Sequence, residues 1–449
     1  MALSLKLEEL PPELFPAIVS HLPLYATPTT VLSFALANRR ISETVLPLIN
    51  TCIILRREKD GLKMIQRLLA NPNTGLAVRE LYIMSELSRE ARNGDYFPFN
   101  VVSGLQDVIE AGLLPYIHTL GLTLLDGRHL DEDEQSTVHC SKLRSGFFDN
   151  LHNKCPRLQA LILRDIGDEE GDSWLDDSGL FELNLNLSTL SLHLPYYSGP
   201  GALNKLFNNL PSLSSSLHTL RLSKEADLPQ TPLVFPFSFP VLRSLTLEYY
   251  LVEDTAEAMK FWKRHPSLEF LECTISYNCP QYFFNNEFPL DFLPNIRHLK
   301  AEFPDVFVLA PILNRLASLA ILFSSDTQIP YLLRSVLPNG LPNLRSLLID
   351  PRHETSYPPN PLTEGTDWYE TEDGQFGQNN ENKAGEGIFH NYMHSIVRGA
   401  PNIEEIGMRG PGNQFLNLSH FVSLVRDTDI DRPSTDGLSR RRWGYYWHP

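Results

Sequence analysis

Four residues lie close enough in the sequence to suggest a metal: His139, Cys140, His152 and Cys155. An imidazole and a thiolate three residues apart, as in His152-Asn153-Lys154-Cys155, can share one zinc ion. Such a site needs a second pair at matched spacing, and the chain holds no C-x-x-C pair. The four are therefore expected at loop and helix-end positions. Cys273 and Cys279 are separated by five residues, and Cys273 falls where a strand points inward, so it reads as core. The acidic runs Asp131-Glu132-Asp133-Glu134 and Asp168-Glu169-Glu170 lack the glycine and ligand register of a calcium loop. They read as solvated loops. There is no phosphate-cradling lysine loop, dinucleotide fingerprint, G-x-S-x-G turn or H-E-x-x-H pair. The expectation is a chain that is not an enzyme, with no catalytic residue, cofactor or metal. The tail Arg440-Arg441-Arg442-Trp443 to Trp447 is basic and aromatic. It reads as a terminal segment packed on the last element, with a localisation or docking peptide as the other reading.

The chain has 449 residues, 42% hydrophobic and 20% charged, enough apolar content for a core. Its net charge of −16 argues against general binding to nucleic acid or an anionic membrane, which needs a cationic surface. No apolar run reaches the ~18 residues of a membrane-spanning helix, and MALSLKLEELPPELF does not read as a signal peptide. Five cysteines in this length are no disulfide framework. Reduced thiols in the cytoplasm or nucleus are expected.

The elements that would position any site repeat along the chain. The pattern apolar-x-x-apolar-x-apolar starts at Val78, Ile117, Leu158, Leu187, Leu217, Leu242, Leu268, Ile296, Leu316, Leu344 and Ile403. From Leu187 to Ile296 successive starts are 25–30 residues apart, at or just above the ~20–29 period of leucine-rich repeats. Proline stands two residues before seven of the eleven starts, at Pro115, Pro156, Pro240, Pro266, Pro294, Pro342 and Pro401. Proline cannot continue a helix and favours extended backbone before it. Each unit thus reads as helix, proline stop and short strand. In the strand Leu245 and Leu247 point inward while Ser244 and Thr246 point outward.

Intervening segments carry helical signals. Asp254 can cap a helix to Arg264, with Glu257 in capping-box register and Lys260, Lys263 and Arg264 in its last turn; His265-Pro266 stops it. Leu203, Leu206, Phe207 and Leu210 share one helical face, as do Phe389, Met393, Ile396 and Val397. The expected fold class is α/β: a small N-terminal helical unit, then an irregular leucine-rich-repeat solenoid with parallel strands on the concave face and helices outside. The expected division is a helical domain over 1–50, a linker strand and helix over 51–75, the solenoid over 76–430 and a tail over 431–449. Extra material loops out at 126–142, 164–182 and 351–387. The last, with nine acidic and two basic residues from Asp350 to Glu386, is expected to be disordered.

Residues 1–75 carry eight basic and six acidic residues, unlike the rest. Leu14, Ile18 and Leu22 form one helical stripe; Leu32, Ala35 and Leu36 form a face of a second helix starting at Pro28 or Thr29; a third runs from Ile41 to Ile49. Leu10-Pro11-x-Glu13-Leu14-x3-Ile18-x3-Leu22 resembles the opening of an F-box, and Leu32, Leu36 and Ala37-Asn38-Arg39-Arg40-Ile41 resemble its second half. The connection after Leu22 is slightly long, no Trp follows Arg40 and no Cys precedes it. With the downstream repeats, the chain resembles fungal F-box proteins with degenerate leucine-rich repeats. The resemblance implies a substrate receptor of a Skp–cullin–F-box ubiquitin ligase, in which other subunits do the chemistry. It implies docking on the Skp adaptor, and through it a cullin, by Leu10, Pro11, Leu14, Ile18, Leu22, Leu32 and Leu36, some of which would instead support the helical unit. The repeats would hold a protein substrate. The alternative is a leucine-rich interaction scaffold that works without a ligase. On the strand wall, Arg221, Phe270 and Lys300 are unusual among outward positions and are the candidate substrate contacts.

Overall fold

The computed structural model describes residues 10–20, 27–55, 58–83, 99–124, 143–164, 186–194, 215–224, 235–250, 252, 254–275, 283–285, 288–289, 291–324, 328–337, 339–351, 393–409 and 415–417. The chain divides into two compact units, Met1–Tyr250 and Leu251–Pro449.

The first unit opens with three helices, α1 (Leu14–Ser20), α2 (Thr27–Ala37) and α3 (Arg39–Val45). Asn38 caps α3: its backbone is extended and its Oδ1 accepts the Arg40 amide at 2.8 Å. The expected third helix to Ile49 stops at Val45. The chain then tightens into a 3-10 helix over Leu46–Asn50, where Pro47 has no amide to give an α-helical ladder.

Among the described residues of the first unit seven strands follow: β1 (Cys52–Leu55), β2 (Glu80–Ile83), β3 (Thr119–Thr123), β4 (Ala160–Arg164), β5 (Thr189–Leu194), β6 (Thr219–Lys224) and β7 (Ser244–Tyr250). Each pairs in parallel with the next, in chain order. The strand expected within 51–75 is β1, which pairs with β2, so the sheet begins at Cys52. Register keeps the repeat leucines in rows, Ile53↔Leu81↔Leu120 at one end and Leu190↔Leu220↔Leu245 at the other, all buried. One backbone carbonyl starts each new strand by accepting two successive amides: Arg79 O takes the His118 and Thr119 amides, and His118 O takes those of Gln159 and Ala160. That device repeats at the repeat period and holds the register without side chains.

Helices cover the leucine side. They are α4 (Glu58–Ala70), α5 (Pro72–Ala77), α6 (Phe99–Glu110) and α7 (Phe147–Lys154). Val101, Val102, Leu105, Val108 and Ile109 are buried on α6, the i, i+4, i+7, i+8 stripe of an amphipathic helix. Glycines let α4 and α6 approach closely. A Cβ on Gly61 would meet Val101 Cγ2 at 2.7 Å, and one on Gly104 would meet Ile65 Cγ2 at 2.7 Å.

The second unit contains β8 (Phe270–Ile275), β9 (His298–Glu302), β10 (Ser318–Ser324), β11 (Ser346–Pro351) and β12 (Glu405–Arg409), parallel and in chain order. A short β13 (Phe415–Asn417) pairs antiparallel with β12. All eleven motif copies thus carry a strand, β2 to β12. Helix α8 (Thr255–Arg264) is capped by Asp254, whose Oδ1 accepts the Ala256 amide at 2.7 Å. Glu257 pairs with Lys260 at 2.6 Å. Trp262 donates from Nε1 to the Phe283 carbonyl at 3.2 Å and stacks on Phe284. A short helix α9 (Phe303–Val308) follows β9, and a helix over 393–399 buries Met393, Ile396 and Val397. The expected helix around Leu203–Leu210, the three long insertions apart from their Arg164 and Pro351 ends, and the 431–449 tail lie outside the described residues.

Candidate interaction surfaces

The N-terminal helices separate two apolar sets. Phe15 and Val19 of α1, Val31 of α2, and Ile41 and Val45 of α3 form a small buried core, against which Leu10, Phe34, Leu48 and Ile49 pack. The buried stripe of α1 is thus Phe15/Val19, one residue on from the Leu14/Ile18 stripe. On α2 it is Val31/Ala35, so of the expected Leu32/Ala35/Leu36 face only Ala35 is buried. Leu14, Leu32 and Leu36 remain 44%, 47% and 78% exposed. Pro11 is exposed, Ile18 and Leu10 are half-buried, and Leu22 lies outside the described residues.

On the strands the repeat leucines are buried, but so are several of the alternating positions, Thr246 and Glu272 among them, and the neighbours of the candidate cations change their meaning. In the first unit Arg221 Nη2 on β6 donates to Glu248 Oε1 on β7 at 2.7 Å. In the second unit Lys300 on β9 donates to Glu272 on β8, directly opposite in register. In the sequence Arg221 and Lys300 stand out as outward cations in an acidic chain; each is paired with a carboxylate one strand away. Phe270 is half-buried, its ring 6.1 Å from that of His298.

Among the described residues the cysteine thiols are buried. Cys155 is buried and its thiol is pushed up to about 12 by desolvation, while His152 is exposed on α7. Burial, then the charge of Glu80, pushes the Cys52 thiol up to about 12. Cys273 is buried in β8, and desolvation, then Asp305 and Glu272, raise its thiol well above the ordinary range. Burial thus favours the neutral thiol at Cys52, Cys155 and Cys273 over the thiolate form. Among the described residues no group of three or more His, Cys, Asp or Glu side chains is arranged to hold a metal. His139, Cys140 and Cys279 lie outside them. Among the described residues no helix is long and apolar enough to cross a membrane.

Two buried titratable groups went unnoticed in the sequence. Asp305, on α9, is fully buried; its Oδ1 accepts the Phe284 amide at 3.2 Å and its Oδ2 has no hydrogen-bond partner among the described residues. Burial holds its carboxyl well above the usual range, and the charge of Glu302 adds to this against the Phe284 and Phe283 amides. His265 closes α8; its Nδ1 lies 2.7 Å from the Phe261 carbonyl, and burial lowers its pKa to about 4. The His265-Pro266 stop was the only signal for the latter.

No family model and no curated protein matches the chain. Among solved structures it is similar to the leucine-rich repeat-containing protein LegL7 from Legionella pneumophila, at 13% identity and a TM-score of 0.38, over 86% of this chain and 99% of that one. It is also similar to the complex of Rad7 and Elc1 from yeast, at 13% identity and a TM-score of 0.37, over 70% of this chain and 74% of that one. The α/β leucine-rich-repeat architecture rests on the strand register of this chain itself.

Proposed function

We propose that the chain is a non-catalytic substrate receptor of a Skp–cullin–F-box ubiquitin ligase, acting in the cytoplasm or nucleus. In this reading α1–α3 dock on the Skp adaptor and the repeats hold a protein substrate. One observation carries it: α1 and α2 bury Phe15, Val19 and Val31 on a core of their own and still expose Leu14, Leu32 and Leu36. Large aliphatic side chains left out of a small helical core are accounted for when a partner covers them. The F-box-like pattern from Leu10 to Leu36 supplies the kind of partner. The packing of Leu10 against the core favours a supporting role for that residue, and the same observation fits the second reading, a repeat scaffold without a ligase. For the substrate, the strand-face residues Arg221, Phe270 and Lys300 are the candidates, the two cations contributing only by exchanging their glutamate partners.

Leu32→Ala with Leu36→Ala is the informative variant, because both residues are exposed and outside the core. Each leucine buried by a partner is worth ~1.5–3 kcal/mol, so adaptor binding should fall on the order of a hundredfold or more at unchanged melting temperature. Pull-down of the Skp adaptor reads this out. Equal recovery by the variant rejects the docking surface. Failure of the unaltered chain to recover adaptor leaves the ligase-free scaffold.

A further inference from the structure

Parallel pairing puts the amino-terminal ends of β1–β7 on one edge of the first unit's sheet. The described residues that lead into β2–β7 are 71–79, 111–118, 154–159, 186–188, 215–218 and 235–243. Every charged residue among them is basic: Arg79, Lys154, Arg157 and Arg243, joined by His118 and His218. The chain as a whole carries −16. The residues that follow β4 in sequence, 165–185, hold eight acidic and no basic residues.

Within this edge one group is organised and unused. Tyr116 has two guanidinium groups over its ring, with Arg79 Cζ 5.2 Å and Arg157 Cζ 4.6 Å from its centroid. Arg79 spends its Nη1 on the Leu76 and Val78 carbonyls, at 2.8 and 3.0 Å. Arg157 is exposed, and its guanidinium makes no hydrogen bond or ion pair among the described residues. Stacking on an aromatic face fixes the plane of a guanidinium and leaves its N–H fork free for a carboxylate. Lys154 ends α7 three residues before Arg157, its stem beside Gly112, which follows α6. The acids on α6, Asp107 and Glu110, are held by Arg144 at 2.6 and 3.3 Å. Glu80 accepts from the Tyr82 hydroxyl at 3.3 Å. Neither contact reaches Arg157.

We propose that this edge of the first unit docks an acidic peptide segment of a partner protein, with Arg157 over Tyr116 as the carboxylate fork and Lys154 as a second charge. An acidic peptide matches a local basic edge on an acidic protein. A long polyphosphate backbone would also meet the net acidity of the rest of the chain. The inference rests on the interaction reading of the repeats and is separate from adaptor docking, because the leucine variants of α2 do not touch this edge.

The test uses the full chain and a fluorescently labelled oligoglutamate, with oligoglutamine and single-stranded RNA of equal length as comparisons, read by anisotropy. Oligoglutamate should bind, more weakly as salt rises, and oligoglutamine should not. Arg157→Gln should weaken binding about tenfold, the loss of one charge-assisted pair. Arg157→Lys should fall between, since it keeps the charge and loses the fork. Lys59→Gln, an exposed residue of α4, should match the unaltered chain. Circular dichroism checks that each variant folds, as exposed substitutions should. Oligoglutamate binding no tighter than oligoglutamine, an Arg157→Gln variant equal to the unaltered chain, or tighter binding of RNA would each overturn the proposal.

Discussion

Arg221 on β6 reaches across to Glu248 on β7, Nη2 to Oε1 at 2.7 Å, so the cation that stands out in the sequence is one half of an inter-strand pair. Lys300 and Glu272 repeat the relationship in the second unit. The two pairs differ in burial. Glu248 is partly solvated, while the Glu272 side chain is only 7% exposed. Arg221→Gln should therefore cost under about 1 kcal/mol, as for partly exposed pairs. Lys300→Gln takes the cation away from a carboxylate that is almost fully buried and should cost more, about 1–3 kcal/mol. Urea unfolding of each variant compares them, and equal losses would show that the remaining surroundings of Glu272 compensate for the lysine.

Histidine 265 makes stability depend on acid. Unfolded, it takes a proton near pH 6.5; folded, burial lowers this to about 4. Between those values the unfolded chain binds more protons, so the contribution of neutral His265 is complete above about pH 6.5 and is lost as pH falls towards 4. The loss is roughly 2–3 kcal/mol. His265→Gln should be less stable at pH 7 and show a flatter stability profile between pH 4.5 and 7. A variant profile parallel to that of the unaltered chain would mean that other groups carry the acid sensitivity.

The repeat strands were legible in the sequence because their leucines face one way at period two and prolines mark where each helix must stop. The direction of α1 and α2 was not. Leu14/Ile18 and Phe15/Val19 are equally good stripes one residue apart, and only the packing of α3 selects the second. The pairing of Arg221 and Lys300 was also hidden, since their partners lie 27 and 28 residues away and become neighbours only through strand register. Asp305 carried no signal at all: its short helix and its proton depend on the surrounding burial.

Asp305 itself gives an opposite pH dependence. Its folded carboxyl titrates well above the unfolded value of 3.8, so the folded chain holds a proton that the unfolded chain has released. Stability is therefore lost as pH rises from about 3.8 through the folded value. Asp305→Asn keeps an oxygen for the Phe284 amide and removes the titration. It should equal the unaltered chain near pH 4 and gain on it progressively by pH 8. Asp305→Ala abandons that amide and should lose about 1–3 kcal/mol. Urea midpoints for the Asn variant that run parallel to the unaltered chain across this range would show that the carboxyl is ionised in the fold.

The usual asparagine of the repeat signature is mostly missing, yet an amide ladder exists elsewhere in the second unit. Asn295, Asn343 and Asn402 each follow a punctuating proline, and each donates from Nδ2 to a carbonyl one repeat back: Pro266 O at 3.0 Å, Asn314 O at 2.7 Å and Pro342 O at 2.7 Å. The last bond spans 60 residues of sequence and still keeps the ladder step, which matches the Ser346↔Glu405 pairing of β11 with β12. The recurring Pro-Asn dipeptide was visible in the sequence, but its amide role needed the stacking of turns. Each Asn→Ala change should cost about 0.5–1.5 kcal/mol, the net value of one such bond. Asn→Asp should cost more, because a carboxylate cannot donate and would face a carbonyl oxygen. Asn295 and Asn402 share no partner, so their losses should add within about 0.5 kcal/mol. Urea unfolding of the two single variants and the double variant decides it. Asn→Asp variants as stable as Asn→Ala would mean that the bonds to the preceding repeat contribute nothing to holding the turns together.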